Sequence, residues 1–173
     1  MSLKSLARGW NAFFFQPQSP VPIALFRIVF SLIVLADAFL LRPDWLTWLG
    51  PRGLVTLQAQ QKMEPGTRIN LFPILPQTAF WADAIFWALV ISAILLAIGL
   101  FTRTASMLVY VLLASVHQRD LFITNSGDTL LRASAFFLMF APAGAALSLD
   151  RLRRIWRGKE GWRSVRARPG LNA

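Results

Sequence analysis

Four stretches of the chain are nearly free of polar residues, and the polar positions crowd into the connections between them. The first stretch runs from about Val21 to Leu41 (VPIALFRIVFSLIVLADAFLL), long enough for a helix to cross the hydrocarbon layer of a bilayer. Pro20 and Pro22 stand at its start, where a missing N–H costs least. The second, about Phe80 to Leu100, opens with Trp81 and Trp87 at interface depth. The third, from about Thr104, is short for a span and is expected to extend through Gln118 in a protein-lined setting. The fourth, Leu130 to Leu149, contains Pro142 and Gly144, which predicts a kink in its lower half. No A-x-A cleavage site follows the first stretch, which therefore reads as an anchor and not as a removable leader.

The connections differ in character. Residues 42–79 form a long loop rich in Trp, Pro and Gly, within which Leu54 to Met63 has the pattern of a short interfacial helix. The turn at 100–103 is tight, so the second and third spans are expected as an antiparallel hairpin. The connection at 117–129 is short and densely polar. Leu3, Leu6, Trp10, Phe13 and Phe14 recur at helical spacing before the first span, and Leu152, Ile155 and Trp156 lie among arginines after the last. Both termini thus predict amphipathic helices in the headgroup layer. The expected fold is all-α: a polytopic membrane protein with four transmembrane helices (about 21–41, 80–100, 104–118 and 130–149). A membrane domain over 1–150 is followed by a basic tail over 151–173.

Composition sharpens this picture. Hydrophobic residues make up 55% of the 173 positions and charged residues only 15%, where a soluble domain carries about a quarter. The formal net charge is +10, with 18 Lys plus Arg against 8 Asp plus Glu. That charge would suit a nucleic-acid binder, but the apolar bulk contradicts it, and no nucleic-acid partner is expected. The basic residues instead give an orientation. Arg151, Arg153, Arg154, Arg157, Lys159, Arg163, Arg166 and Arg168 crowd the tail, and Lys4 and Arg8 the N-terminal arm. Four spans put both termini on one side, and the positive-inside rule makes that side the cytoplasm of a bacterial inner membrane. Anionic lipids are the partners expected at the tail, and the loops at 42–79 and 117–129 then face outward.

Zero cysteines exclude disulfides, thiolate catalysis and Cys-built metal sites. With one histidine, His117, a His-built metal site is not expected either. No G-x-S-x-G elbow, phosphate-binding loop or dinucleotide fingerprint is present, and no catalytic residue can be assigned. The remaining chemistry lies in charges at membrane depth, which are costly there and default to pairing or function. Arg27, about two turns into the first span, is expected to form an ion pair with Asp150 at the end of the fourth. At the outer side Asp37, His117, Arg119, Asp120, Asn125 and Asp128 converge, with Asp83 and Arg132 as second choices. Two readings fit that group. In the structural one, Asn125 or Ser126 caps the fourth helix, Asp128 complements its dipole, and Asp128 pairs with Arg132 at i, i+4. In the functional one, the same groups line an outward cavity and bind a polar head group, with His117 able to move a proton.

Several segments then resemble a known family. They are SPVPIALFRIVFSLIVLAD at 19–37, WLGPRG at 48–53, LAIGLFTRTASMLV at 96–109 and SVHQRDLFITNSGDTLLRASAFFLMFAPAGAALSLD at 115–150. In that order they are similar to the horizontally transferred transmembrane (HTTM) family, the membrane part shared with vitamin K-dependent γ-carboxylases. The resemblance runs from about Phe13 to Asp150 and implies a quinone as the cofactor class. It also implies that this chain corresponds to a front half, because members usually continue past S-L-D with further spans. The carboxylases place a lysine base near the turn between spans. Here the lysines are Lys4, Lys62 and Lys159, and the turn offers Arg119, which stays protonated. Bacterial relatives carry H-x-R-N where this chain reads His117-Gln118-Arg119-Asp120. Carboxylation by this chain alone is therefore not expected. An HTTM-type protein whose outer pocket binds a quinone or lipid-like molecule is the leading reading. A non-enzymatic accessory subunit of a larger membrane complex is the alternative. A transporter component comes third, without inverted repeats or paired broken helices to support it.

Overall fold

Proline opens the first helix and sets its register. Pro22 occupies the first turn of α1 (Val21–Leu41), which runs for twenty-one residues without an interruption. The computed structural model describes residues 19–63, 69–119 and 125–158, and helix is the only regular structure among them. A 3₁₀ turn at Arg42–Asp44 bends directly into α2 (Trp45–Leu49), and α3 (Leu57–Met63) follows within the loop. Then come α4 (Ala79–Ile98), α5 (Thr102–Arg119), α6 (Ser126–Phe140) and α7 (Leu149–Trp156). The predicted N-terminal amphipathic helix and the tail beyond 158 lie outside the described residues.

The four long helices pack in sequence, α1 on α4, α4 on α5 and α5 on α6, while α1 and α6 touch only sparingly. Their shared core holds Phe30, Val34 and Ala38 from α1, and Phe86, Leu89, Ala93 and Leu96 from α4. Val109, Leu113 and Val116 come from α5, with Ala135 and Leu138 from α6. The opposite faces are apolar too. Leu25, Val29 and Leu32 form an exposed ridge on α1, and Trp87, Ile91, Ile94 and Ile98 one on α4. Such continuous apolar surface is foreign to a water-facing helix. Two stretches, Val21–Leu49 and Ala79–Ile98, are long and apolar enough to cross a membrane.

The α4–α5 turn is as tight as predicted. Gly99 takes the left-handed conformation at φ 70°, and the Gly99 and Leu100 amides close back on the carbonyls of Leu96 and Leu95. A Cβ at Gly99 would meet the Ser148 Cβ at 2.4 Å and Arg27 Nη1 at 2.7 Å. The fourth apolar run is a correction. It does not continue as a kinked helix to Leu149: α6 stops at Phe140 and is fifteen residues long. Pro142 is the reason, because it disfavours helical geometry in the residue before it, and Ala141 is extended at ψ 146°. Residues 141–148 then turn under the bundle before α7 begins, with Ser148 accepting from the Arg151 amide as its cap. In the loop at 42–79, the predicted short helix is present but begins at Leu57, and α2 was not foreseen.

The turn under the bundle also disposes of the expected Arg27–Asp150 pair. Arg27 is fully buried, and its guanidinium donates to three carbonyls: Ala143 at 2.7 Å, Leu147 at 2.6 Å and Ala97 at 3.4 Å. Asp150 instead caps α5, accepting from the Phe101 amide (2.9 Å), the Thr102 amide (2.8 Å) and the Thr102 hydroxyl (2.9 Å). Each ion finds peptide dipoles closer than it finds the other. Burial pushes the Asp150 carboxyl up, but the three hydrogen bonds and nearby Arg154 outweigh it, so its pKa is lowered.

Candidate functional site

At the opposite end of the bundle, the cap of α6 fixes one carboxylate. The Asn125 side-chain oxygen accepts from the amides of Gly127 (2.6 Å) and Asp128 (3.4 Å), and Asp128 Oδ2 accepts from the Asn125 amide (2.7 Å). This capping box is the structural role expected of Asn125, and it orients Asp128 at the positive end of the helix dipole. The other oxygen, Oδ1, faces His117 Nε2 across 3.8 Å. His117, from the last turn of α5, is 5% exposed. Asp37, one turn from the end of α1, completes the group. Donor atoms of Asp37, His117 and Asp128 all lie within 4.8 Å of one another.

Asp37, His117 and Asp128 therefore meet, Asn125 joins them through its cap on Asp128, and Arg119 goes elsewhere. Arg119 is 1% exposed and donates to the carbonyls of Val55 (2.9 Å) and Gly50 (3.3 Å), with its guanidinium over the Phe72 ring. It ties the loop at 42–79 to the end of α5. Gln60 of α3 reinforces the same junction by donating to the Gln118 carbonyl, and Ser115 accepts from the Leu71 amide. Asp120 lies outside the described residues. Asp83 pairs with Arg42 at 2.6 Å, and that guanidinium also rests on the Phe86 ring. Sequence reading passed over Arg42, although its place just after an apolar run and before Pro43 marks a helix end facing polar surroundings. Trp45 was passed over as well. It is buried and donates its indole N–H to the Ala82 carbonyl, so the start of the loop is stapled to α4.

The expected Asp128–Arg132 pair is not formed. Asp128 is held by its cap and faces His117, whereas Arg132 Nη2 lies 3.3 Å from the Thr129 hydroxyl. Arg132 is instead part of a cleft of about 480 Å³ between α5 and α6. Tyr110, Phe136, Phe137, Ile69, Ala114 and Ala133 supply its apolar wall, and Gln118, Thr129 and Arg132 its polar end. The Tyr110 and Phe136 rings lie 5.7 Å apart, tilted, and Phe137 is 70% exposed. Of the residues singled out from the sequence, Arg132 alone lines this cleft. Tyr110, Ala114 and Gln118 recur at helical spacing on α5, and Thr129, Arg132 and Phe136 on α6, but that spacing alone does not say which faces of the two helices meet.

The arrangement offers two chemistries: an aromatic slot ending in a cation, and a carboxylate–imidazole group at the bundle end. No known protein family, curated protein or solved structure matches the chain.

Proposed function

We propose that this chain is a four-span HTTM-type protein of the bacterial inner membrane, and that the α5–α6 cleft takes a quinone or lipid-like amphiphile. The observation that carries the reading is the make-up of the cleft: three aromatic side chains along its length and one arginine at its polar end. An amphiphile satisfies both parts, its ring or chain against Tyr110, Phe136 and Phe137 and its head group on Arg132 and Thr129. A cleft of about 480 Å³ falls in the usual range for a small-molecule site.

The membrane assignment of α5 and α6 rests on their outer surfaces. Met107 and Leu108 on α5, and Leu130, Phe137 and Phe140 on α6, are exposed although no polar residue covers them. At a rise of 1.5 Å per residue, α5 is roughly 27 Å long and α6 roughly 22 Å. The shorter helix crosses with the 141–148 turn completing its path, where Arg27 satisfies carbonyls that lipid could not. Catalysis is not part of the proposal, since Lys62 on α3 is the one lysine among the described residues and does not line the cleft.

The test is extraction of the detergent-purified protein, with mass spectrometry of the released lipids and quinones. One amphiphile enriched over the bulk membrane extract, and depleted in Arg132→Gln and Phe137→Ala, supports the reading. An extract indistinguishable from bulk lipid, or a defined protein complex that co-purifies and covers the cleft, overturns it in favour of an accessory subunit.

A further inference from the structure

The group formed by Asp37, His117 and Asp128 is not explained by packing or capping alone. Asp128 spends one oxygen on the cap of α6 and presents the other to His117. Among the described residues no hydrogen bond reaches the Asp37 carboxylate, although it is half-buried and its oxygen lies within 4.8 Å of the other two donors. Two carboxylates brought this close in a poorly solvated place repel each other and call for positive charge. The neighbouring arginines are engaged with other groups: Arg119 with the loop carbonyls and Arg132 at Thr129.

The spacing is informative as well. His117 Nε2 and Asp128 Oδ1 are 3.8 Å apart, too far for a hydrogen bond. Two ligands that share one tetrahedral ion at about 2.1 Å stand roughly 3.4 Å apart. The observed gap is thus close to that of an ion-bridged pair, and the Asp37 oxygen, within 4.8 Å of both, is the third donor.

We propose that Asp37, His117 and Asp128 form a site for a first-row divalent cation of the Zn²⁺, Mn²⁺ or Fe²⁺ kind. One imidazole nitrogen and two carboxylate oxygens suit these ions, whereas Mg²⁺ and Ca²⁺ prefer oxygen alone. Three protein ligands leave the remaining positions open to water. Each ligand comes from a different helix, so the ion ties α1 to α5 and α6 at the loop end, where α1 and α6 otherwise barely touch. The histidine count underlying the sequence expectation overlooked that carboxylates complete the set. The inference does not depend on what occupies the α5–α6 cleft.

The experiment uses untagged full-length protein in detergent, stripped with EDTA and then titrated with Zn²⁺, Mn²⁺ and, as a control, Mg²⁺. Uptake of one Zn²⁺ or Mn²⁺ per chain by elemental analysis is expected, together with a rise in Tm of several degrees. Asp37→Asn and His117→Gln should each weaken uptake at least a hundredfold, while Asp83→Asn, an acid at the same end with its own arginine, should leave it unchanged. Failure of the wild-type chain to take up a stoichiometric ion overturns the proposal whatever the variants do. So does uptake that survives in both ligand variants.

Discussion

Arg27 shows what a buried charge in an apolar helix is for. Its guanidinium gathers the carbonyls of Ala97, Ala143 and Leu147, which terminate α4 or lie in the turn below α6. Arg27→Met should leave all three without donors and lower stability by about 3–5 kcal/mol, measured by unfolding in detergent. The same geometry leaves Arg27 and Asp150 without a hydrogen bond to each other, so only the attraction of two nearby opposite charges links them. A charge swap, Arg27→Asp with Asp150→Arg, should not restore wild-type stability, because neither new side chain replaces the lost hydrogen bonds to peptide groups, and a double-mutant cycle with neutral substitutions should show only modest coupling, about 0.5–1 kcal/mol. Asp150 has its own signature in acid. Its carboxyl titrates below the ordinary value in the folded chain, so its stabilisation is complete above the unfolded carboxyl pKa and fades as pH falls through the folded one. Asp150→Asn should therefore be less stable than wild type at neutral pH, and the two should converge in an acid scan. Convergence on the alkaline side would contradict the capping role. From the sequence, both ions were recognisable as costly and in need of partners. What could not be read was that peptide groups from a turn, more than a hundred residues away along the chain for Arg27, would serve instead of a side chain.

At the scale of elements, legibility followed the local signal. The first helix appears over the predicted residues, and the second within two residues at each end, because long apolar runs with clear borders leave little choice. The fourth failed because hydropathy continues through the alanines at 141–146 while backbone geometry does not. Pro142 ended the helix, and a kink was the wrong expectation for a proline with a turn and a second helix after it. The cap at the other end of α6 was legible, since N-S-G-D places a side-chain acceptor before the helix and an acid at its third position. Asn125→Ala should cost about 1 kcal/mol, and Asn125→Ser or Asn125→Asp much less, as read by the same unfolding assay. Gly99 is the stricter position. Alanine there must adopt a left-handed backbone and also displace Ser148 and Arg27. Gly99→Ala should cost about 3 kcal/mol and weaken the Arg27 cluster with it. The aromatic cleft was hidden for a different reason: it depends on which faces of α5 and α6 meet, and hydrophobic periodicity alone does not rank one apolar face over another.

The whole molecule has two unlike ends, and the proposed orientation in a membrane is tested through them. Arg27, Asp150 and the basic helix α7 gather at one end, where Trp156 and Leu152 stand exposed among arginines. The carboxylate–imidazole group, the Arg42–Asp83 pair and the loop braced by Arg119 form the other. If α5 and α6 cross the bilayer, the end of α6 that begins at Ser126 shares its side with Arg52 and faces away from Arg157. Were α5 and α6 to lie on the inner surface, Ser126 would instead share its side with Arg157. The chain has no cysteine, so single cysteines can report this without a background. Arg52→Cys, Ser126→Cys and Arg157→Cys all stand at exposed positions. With a membrane-impermeant maleimide on intact spheroplasts, Arg52→Cys and Ser126→Cys should label at once, and Arg157→Cys only after permeabilisation. Labelling of Arg52→Cys alone would contradict a four-span arrangement in which Ser126 and the loop at 42–79 share one end, and the proposed outward-facing site would fall with it.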